Sequence, residues 1–159
     1  MEKTNVMRLL EQKKIPYTPY AYEPAVTDGP SVARQIGKSP DEVFKTLVTA
    51  AGTGAHFVFV IPVSASLDLK KAAKAAGVKA VAMLKQKDLL PLTGYVHGGC
   101  SPIGMKKPLI TVIDETALLF DRIIVSAGKV GCQVGLDPHQ LAALTGAAFA
   151  DLTTTEGEV

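Results

Sequence analysis

Lys45 is the residue whose type and setting most invite a chemical role. It lies in Phe44-Lys45-Thr46-Leu47, an apolar stretch in which the two-residue alternation of a strand puts its ammonium on the same face as Leu47 and Thr49. The commoner occupant of such a place is an edge-strand lysine that keeps its head in water and discourages sheet pairing. Aimed into a cleft, the same side chain can hold a phosphate, polarise a carbonyl, or act as a base once desolvation lowers its pKa. Spacing leaves these readings open. A second candidate is the loop Gly98-Gly99-Cys100-Ser101-Pro102-Ile103-Gly104. Its glycines let backbone N–H groups approach an anion or a developing oxyanion, and they equally suit a plain tight connection. The loop lacks the Walker lysine and serine and the complete dinucleotide spacing, so no nucleotide site follows.

Ser126-Ala127-Gly128-Lys129 has the Ser-x-x-Lys spacing of penicillin-interacting enzymes. That chemistry needs the lysine one helical turn after the serine. Gly128 and Gly131 make the stretch a hairpin connection instead, so the match is a chance one. Cys100 and Cys132 lack a nucleophile signature or a Cys-x-x-Cys and read as two free, packed thiols of a reducing cytoplasm. His56, His97 and His139 have no zinc spacing, which gives no sign of a metal. His97 adjoins the glycine loop, where it can touch a ligand or face solvent. Lys70, Lys71, Lys74, Lys106 and Lys107 could gather RNA phosphates or form a solvated face, and a net charge of +2 does not decide between them.

The elements that must position these residues follow from caps, turns and periodicity. Thr4 caps an amphipathic helix over 4–13, with Val6, Leu9 and Leu10 on one side. Residues 17–22 read as a strand, placed at an edge by Pro19. Asp28-Gly29-Pro30 opens a short helix ending at Gly37. Ser39-Pro40-Asp41-Glu42 is a capping box that should start one helical turn before a strand over 44–51. A Gly52-Thr53-Gly54 turn joins that strand to a second over 56–62. Asp68 caps a helix over 69–76 closed by Gly77; a short strand near 80–83 and a helical turn over 86–90 follow. Strands over 109–114 and 122–126, a hairpin return over 132–136, and a helix from Asp137-Pro138 to Gly146 complete the chain.

With 159 residues, nearly half of them apolar, the chain can bury one domain-sized core. Its longest apolar run, 57–63, is far below the roughly 20 residues of a membrane span, and the N-terminus lacks a secretory signal, so the expected location is the cytoplasm. Short strands interspersed with helices, with no repeat or composition shift, predict a single domain of mixed α/β (α+β) class.

Tyr22, Phe44-Lys45-Thr46-Leu47, Leu69-Lys70-Lys71-Ala72-Ala73-Lys74, the 98–104 loop and Val125-Ser126-Ala127-Gly128-Lys129 stand in an order and spacing that covers nearly the whole chain. Together they resemble the YbaK family of Cys-tRNA(Pro) deacylases, in the aminoacyl-tRNA editing superfamily. The resemblance implies a mixed, mostly antiparallel sheet curled into a partial barrel with flanking helices, spanning 1–152, with 153–159 as a disordered tail. It implies trans-editing of tRNA(Pro) mischarged with cysteine, extending to Cys-tRNA(Cys), with prolyl-tRNA synthetase as a candidate partner, no metal or cofactor, and no membrane or DNA. The substrate cysteine's own thiol would attack the ester, which suits a chain without a triad. By the same resemblance Lys45 is the essential lysine that orients the aminoacyl end and stabilises charge at the ester, and Thr46 lines the same site. Gly98 and Gly99 offer backbone contacts, and Tyr22 and Ser126 are pocket walls.

Residues 23–28 depart from the pattern by lacking an aromatic that related members use beside the substrate, which leaves the choice of amino acid open. A sister specificity removes alanine from tRNA(Pro) with water as nucleophile. A non-catalytic aminoacyl or nucleotide-binding module and a Schiff-base enzyme acting through Lys45 are the rival classes.

Overall fold

The Thr4 hydroxyl accepts a hydrogen bond from the Met7 N–H and opens α1 (Asn5–Gln12), whose Val6, Met7 and Leu10 are buried. The structure is a computed structural model that describes residues 2–155. Strand β1 (Thr18–Ala21) leads to α2 (Gly29–Gln35), capped by Asp28 with Pro30 in its first turn. The Ser39 to Glu42 box forms, since Ser39 N–H donates to the Glu42 carboxylate and Asp41 N–H to the Ser39 hydroxyl, but it closes a single turn and no helix. The hairpin of β2 (Phe44–Ala51) and β3 (His56–Pro62) follows as expected. After β4 (Ser66–Leu67), Asp68 caps α3 (Leu69–Ala76), and β5 (Val81–Met83) runs back. Helix α4 (Gln86–Thr93) is longer than the expected turn. Pro91 sits inside it, and the Thr93 hydroxyl and Gly94 N–H still bond to the Leu89 and Leu90 carbonyls.

Strand β6 (Ile110–Asp114), a 3-10 helix (Glu115–Leu119), β7 (Ile123–Lys129), β8 (Cys132–Leu136), α5 (Pro138–Thr145), β9 (Ala148–Ala150) and β10 (Thr153–Thr154) complete the described chain. The fold is the expected mixed α/β domain, with two corrections.

First, the single curled sheet is divided. Five strands pair in the order β5-β2-β3-β6-β9, three in the antiparallel order β1-β8-β7, and β10 pairs with β4 alone. The five-stranded sheet is antiparallel at β5-β2-β3 and parallel at β3-β6-β9. One parallel bridge, Val43 to Ile124, joins the two larger sheets. Second, the tail is not frayed at its start. Thr153 and Thr154 pair with Leu67 and Ser66, while 156–159 lie outside the described residues.

Both faces of β3 are covered, which is why Phe57 to Ile61 read as a continuous apolar run rather than an alternating one. Phe44, Val48, Val58 and Val60 face a core shared with β7, β8, α1 and α5. Phe57, Phe59 and Ile61 face Ala72 and Ala73 of α3 and Leu152. A smaller cluster of Ala33, Val43, Val63 and Ile124 seats α2 where the two sheets meet. No helix among the described residues is long and apolar enough to cross a membrane.

Candidate functional site

Strand β5 covers only the far end of β2, pairing with Thr49 to Ala51, and the Leu84 N–H donates to the Val48 carbonyl. Main-chain groups of alternate residues point to the same side of a strand. Those of Phe44 and Thr46 therefore face the β5 side beyond the end of β5, where no strand among the described residues pairs with them. Here β2 borders a cavity of about 210 Å³. Val43 to Leu47 of β2 and its approach line it, together with Ser126 and Gln133. Leu89 of α4, then His97, Gly98 and Cys100 of the glycine loop, Tyr22 and the start of α2 complete it.

Strands β7 and β8 supply Ser126 and Gln133. Ser126 and Gln133 are directly opposed across the pair, which puts their side chains on one face within a few ångströms of each other. The other face of the same strands, with Val125, Ala127 and Val134, is core. The Ser126 hydroxyl accepts from the Gly128 N–H at 3.1 Å, where the register of β7 slips before Lys129. This bulged strand, not a helix, carries Ser126 and Lys129, in keeping with the chance reading of that spacing.

Lys45 reaches the cavity half-buried, with no hydrogen bond or ion pair to its ammonium among the described residues, and burial lowers its pKa from the usual lysine value. The cavity wall contains no Asp or Glu. An ammonium without a carboxylate partner in a partly dry site is free to act on a bound group. Cys100 also lines the wall, and burial pushes its thiol up to about 12, so it stays protonated and a poor nucleophile at neutral pH. Two wall atoms are buried without any hydrogen-bond partner among the described residues: the Thr46 hydroxyl oxygen and the Gln133 Oε1.

Of the residues singled out in the sequence, Tyr22, Lys45, Thr46, Gly98 and Ser126 converge on this one cavity, joined by His97. Gly98 has φ of +86°, and the Gly99 N–H bonds back to the Val96 carbonyl, so the loop tip is a turn that suits glycine. Gly99 does not line the cavity. A Cβ there would stand 3.1 Å from the Val130 nitrogen, so its smallness serves the packing of the loop against the β7-β8 hairpin. The lysine cluster is split: Lys71 donates to the Thr153 carbonyl and pairs with Asp151 at 2.9 Å, which commits it to the C-terminal segment.

Gln133 was not legible as a site residue, because only the cross-strand pairing with Ser126 turns it into the cavity. Within 23–28, where the aromatic is missing, Thr27 reaches the wall and Asp28 turns away to accept the Ser31 N–H. Gly29 lets α2 lie against Val63, since a Cβ there would stand 2.6 Å from the valine side chain.

A sheet-based domain with a lysine-bearing, carboxylate-free cavity between its two sheets matches a defined class: residues 23–144 fit the aminoacyl-tRNA editing domain, and the chain belongs to that family. Among its relatives is EbsC of Enterococcus faecalis, provisionally named a Cys-tRNA(Pro)/Cys-tRNA(Cys) deacylase. It is 48% identical over 157 residues, covering 98% of this chain and 96% of the relative. Among solved structures, one described provisionally as a trans-editing enzyme for prolyl-tRNA synthetase superposes with a TM-score of 0.83 at 24% identity, covering 97% of this chain and 99% of that one. Another, a hypothetical protein, gives a TM-score of 0.86 at 23% identity, with coverage of 95% and 100%. These two likenesses speak for the fold alone.

Proposed function

We propose that this chain is a trans-editing deacylase that cleaves the aminoacyl ester of Cys-tRNA(Pro), and of Cys-tRNA(Cys), by attack of the substrate cysteine's own thiol. The similarity to EbsC supports the substrate class. The observation that carries the mechanism is the content of the cavity. It holds an unpaired lysine, but its thiol is kept protonated, and its serine accepts from a backbone N–H and has no hydrogen bond to a histidine or carboxylate among the described residues. A site built this way supplies position and charge rather than a nucleophile.

In the reaction the thiol sulfur attacks the ester carbonyl carbon and gives up its proton. Negative charge gathers on the carbonyl oxygen, where the Lys45 ammonium stabilises it. The bond from that carbon to the ribose oxygen then breaks, the departing hydroxyl takes up a proton, and the products are free tRNA and a cyclic thioester. Editing is needed because a synthetase pocket for proline rejects a similarly sized amino acid by only about 1–3 kcal/mol. Action in the cytoplasm, on substrate released by prolyl-tRNA synthetase, belongs to the same proposal.

Single-turnover cleavage of Cys-, Ala- and Ser-tRNA(Pro), with and without the synthetase, tests it. Rapid loss of cysteine alone, with a cyclic thioester as first product, is expected. Equal cleavage of the alanine ester, which has no thiol, would sink the substrate-assisted route, and equal cleavage by wild type and Lys45→Ala would sink the role of the lysine.

A further inference from the structure

Tyr95 stands outside the cavity wall. Its side chain nonetheless meets two irregular segments whose residues line that wall. On one side its hydroxyl donates to the Ile103 carbonyl, which closes the chain across 96–102, the stretch that carries His97, Gly98 and Cys100. A Cβ on Gly104 would stand 3.2 Å from the same hydroxyl. On the other side its ring lies against Gly128, where φ is +89° and a Cβ would stand 2.9 Å from the ring Cε1. Gly128 is the residue whose N–H holds the Ser126 hydroxyl, at the slip in the register of β7. We propose that Tyr95 is a positioning residue of the site: one side chain fixes the glycine loop and the β7 bulge relative to each other, and so sets where Gly98, Cys100 and Ser126 stand on the cavity wall. The kinetic part of its test rests on the function proposed above.

The other bonds of the loop are local. The Gly99 N–H donates to the Val96 carbonyl, the Ile103 N–H to the Ser101 hydroxyl, and the Lys106 N–H to the Thr93 carbonyl. None of these three reaches β7. Gly99 packs against the tip of the hairpin, at Lys129 and Val130, and Tyr95 adds the contact at the bulge itself. Tyr95 is anchored in turn, since its N–H donates to the Thr93 hydroxyl, which donates to the Leu89 carbonyl of α4. A path therefore runs from α4, whose Leu89 lines the cavity, through Tyr95 to the end of the loop and to the bulge. Ile103 is 1% exposed, so water has little access to replace the tyrosine hydroxyl at its carbonyl. Burial pushes the Tyr95 hydroxyl up to about 12, which keeps it a donor through the neutral range. Substrate-assisted attack depends on position, and a displacement of about 1 Å can cost 100-fold in rate. That is the step a loosened loop would slow.

Tyr95→Phe removes the hydroxyl and leaves the ring. Amide exchange followed by NMR on the free protein should quicken about tenfold at Gly99 and Ile103, the scale of one lost hydrogen bond to a buried group. Gly128→Ala, in a separate segment, should quicken exchange at the same two amides by displacing the ring, and should add little in the double variant. In single-turnover cleavage of Cys-tRNA(Pro), the Tyr95→Phe rate at saturation should fall about tenfold or more while half-saturation changes less than about threefold, because the tRNA still binds but its ester is off the attack geometry. Leu152→Ala separates this from lost stability, since Leu152 belongs to the second core and does not line the cavity. It should unfold at a lower temperature than Tyr95→Phe and keep the wild-type rate. Wild-type exchange at Gly99 and Ile103 in Tyr95→Phe or in a folded Gly128→Ala, an undiminished rate in Tyr95→Phe, or an equal loss of rate in Leu152→Ala would each overturn the proposal. A wild type that leaves Cys-tRNA(Pro) intact would instead reject the deacylase reading, and the exchange rates would still decide whether Tyr95 holds the loop.

Discussion

Val43 and Ile124 form an isolated parallel bridge, and two residues beyond it on each strand stand Lys45 and Ser126, both of which line the cavity. The bridge is the point at which the two sheets part. Its backbone bond from the Ile124 N–H to the Glu42 carbonyl ties the start of β2 to β7, and the Val63 N–H donates to the Val43 carbonyl from the end of β3 on the other side. The strands then diverge, and the gap between them is the site. A lysine from one sheet and a serine and a glutamine from the other are thus set by a scaffold of strands rather than by loops, the more exact way to hold reacting groups.

Replacing Lys45 by Met should separate activity from stability. Turnover should fall at least about 100-fold, the cost of removing one donor to a developing oxyanion. Stability should rise, because burial disfavours the charged amine and methionine carries no such penalty. The pH dependence has a definite sign. The folded-state pKa lies below the unfolded value, so the unfolded chain holds the extra proton in the window between them, and wild-type stability gains with pH across that window. In Lys45→Met this gain should be missing from chemical denaturation curves taken from pH 7 to 11; a curve parallel to wild type would contradict it.

Gly29→Ala should deform the site from outside the chemistry. The new Cβ would meet Val63 at 2.6 Å, far inside contact distance, and α2 must move away from the cavity wall. Overpacking of this kind costs about 1–3 kcal/mol. Urea titration should show that loss together with weaker substrate binding, and unchanged stability would mean that α2 is not seated as described.

Alkylation should find Cys100 inert. Burial pushes its thiol up to about 12, so very little of it is thiolate near pH 8 and it should react far more slowly than an unburied thiol. Mass spectrometry of peptides after timed iodoacetamide exposure reads this directly. Labelling of Cys100 at the rate of a free thiol would restore it as a candidate nucleophile.

The C-terminal segment should be held by packing and not by charge. Leu152 is fully buried in the second core, and its N–H donates to Asp114 at 2.9 Å. Leu152→Ala should cost about 2–5 kcal/mol. The neighbouring Lys71 to Asp151 pair is exposed on both sides, so Asp151→Asn should cost less than about 1 kcal/mol. Thermal unfolding of the two variants ranks them, and the reverse order would show that the ion pair is the anchor.

Much of the fold was legible because its signals are local. Thr4, Asp28, Asp68 and Asp137 each cap the helix their sequence announces, and Gly77 and Gly146 stop theirs. The β2-β3 hairpin needs only two apolar runs and a glycine turn between them. Pro19 marked β1 as an edge strand, which it is. What escaped was short or remote. Strands β4, β9 and β10 are two or three residues each, too short to show a period, and β9 and β10 form only because distant strands offer them partners. The expected tail could not reveal that Leu152 has a core to enter.

The same division runs through the site. The sequence by itself determined that Lys45 and Thr46 share a strand, that Ser126 precedes a hairpin, and that glycines permit the 98–104 loop; its motifs, taken in order, pointed to the family before any contact was known. Tertiary structure decided which of these meet. It brought Lys45 and Ser126 to one cavity through the Val43 bridge, added Gln133, moved Gly99 from the cavity to the packing behind it, and drew Lys71 toward the C-terminus. The physical reason is that caps, turns and alternation act within a few residues along the chain, whereas the burial of a polar group without a partner is a property of the space between strands some eighty residues apart in sequence.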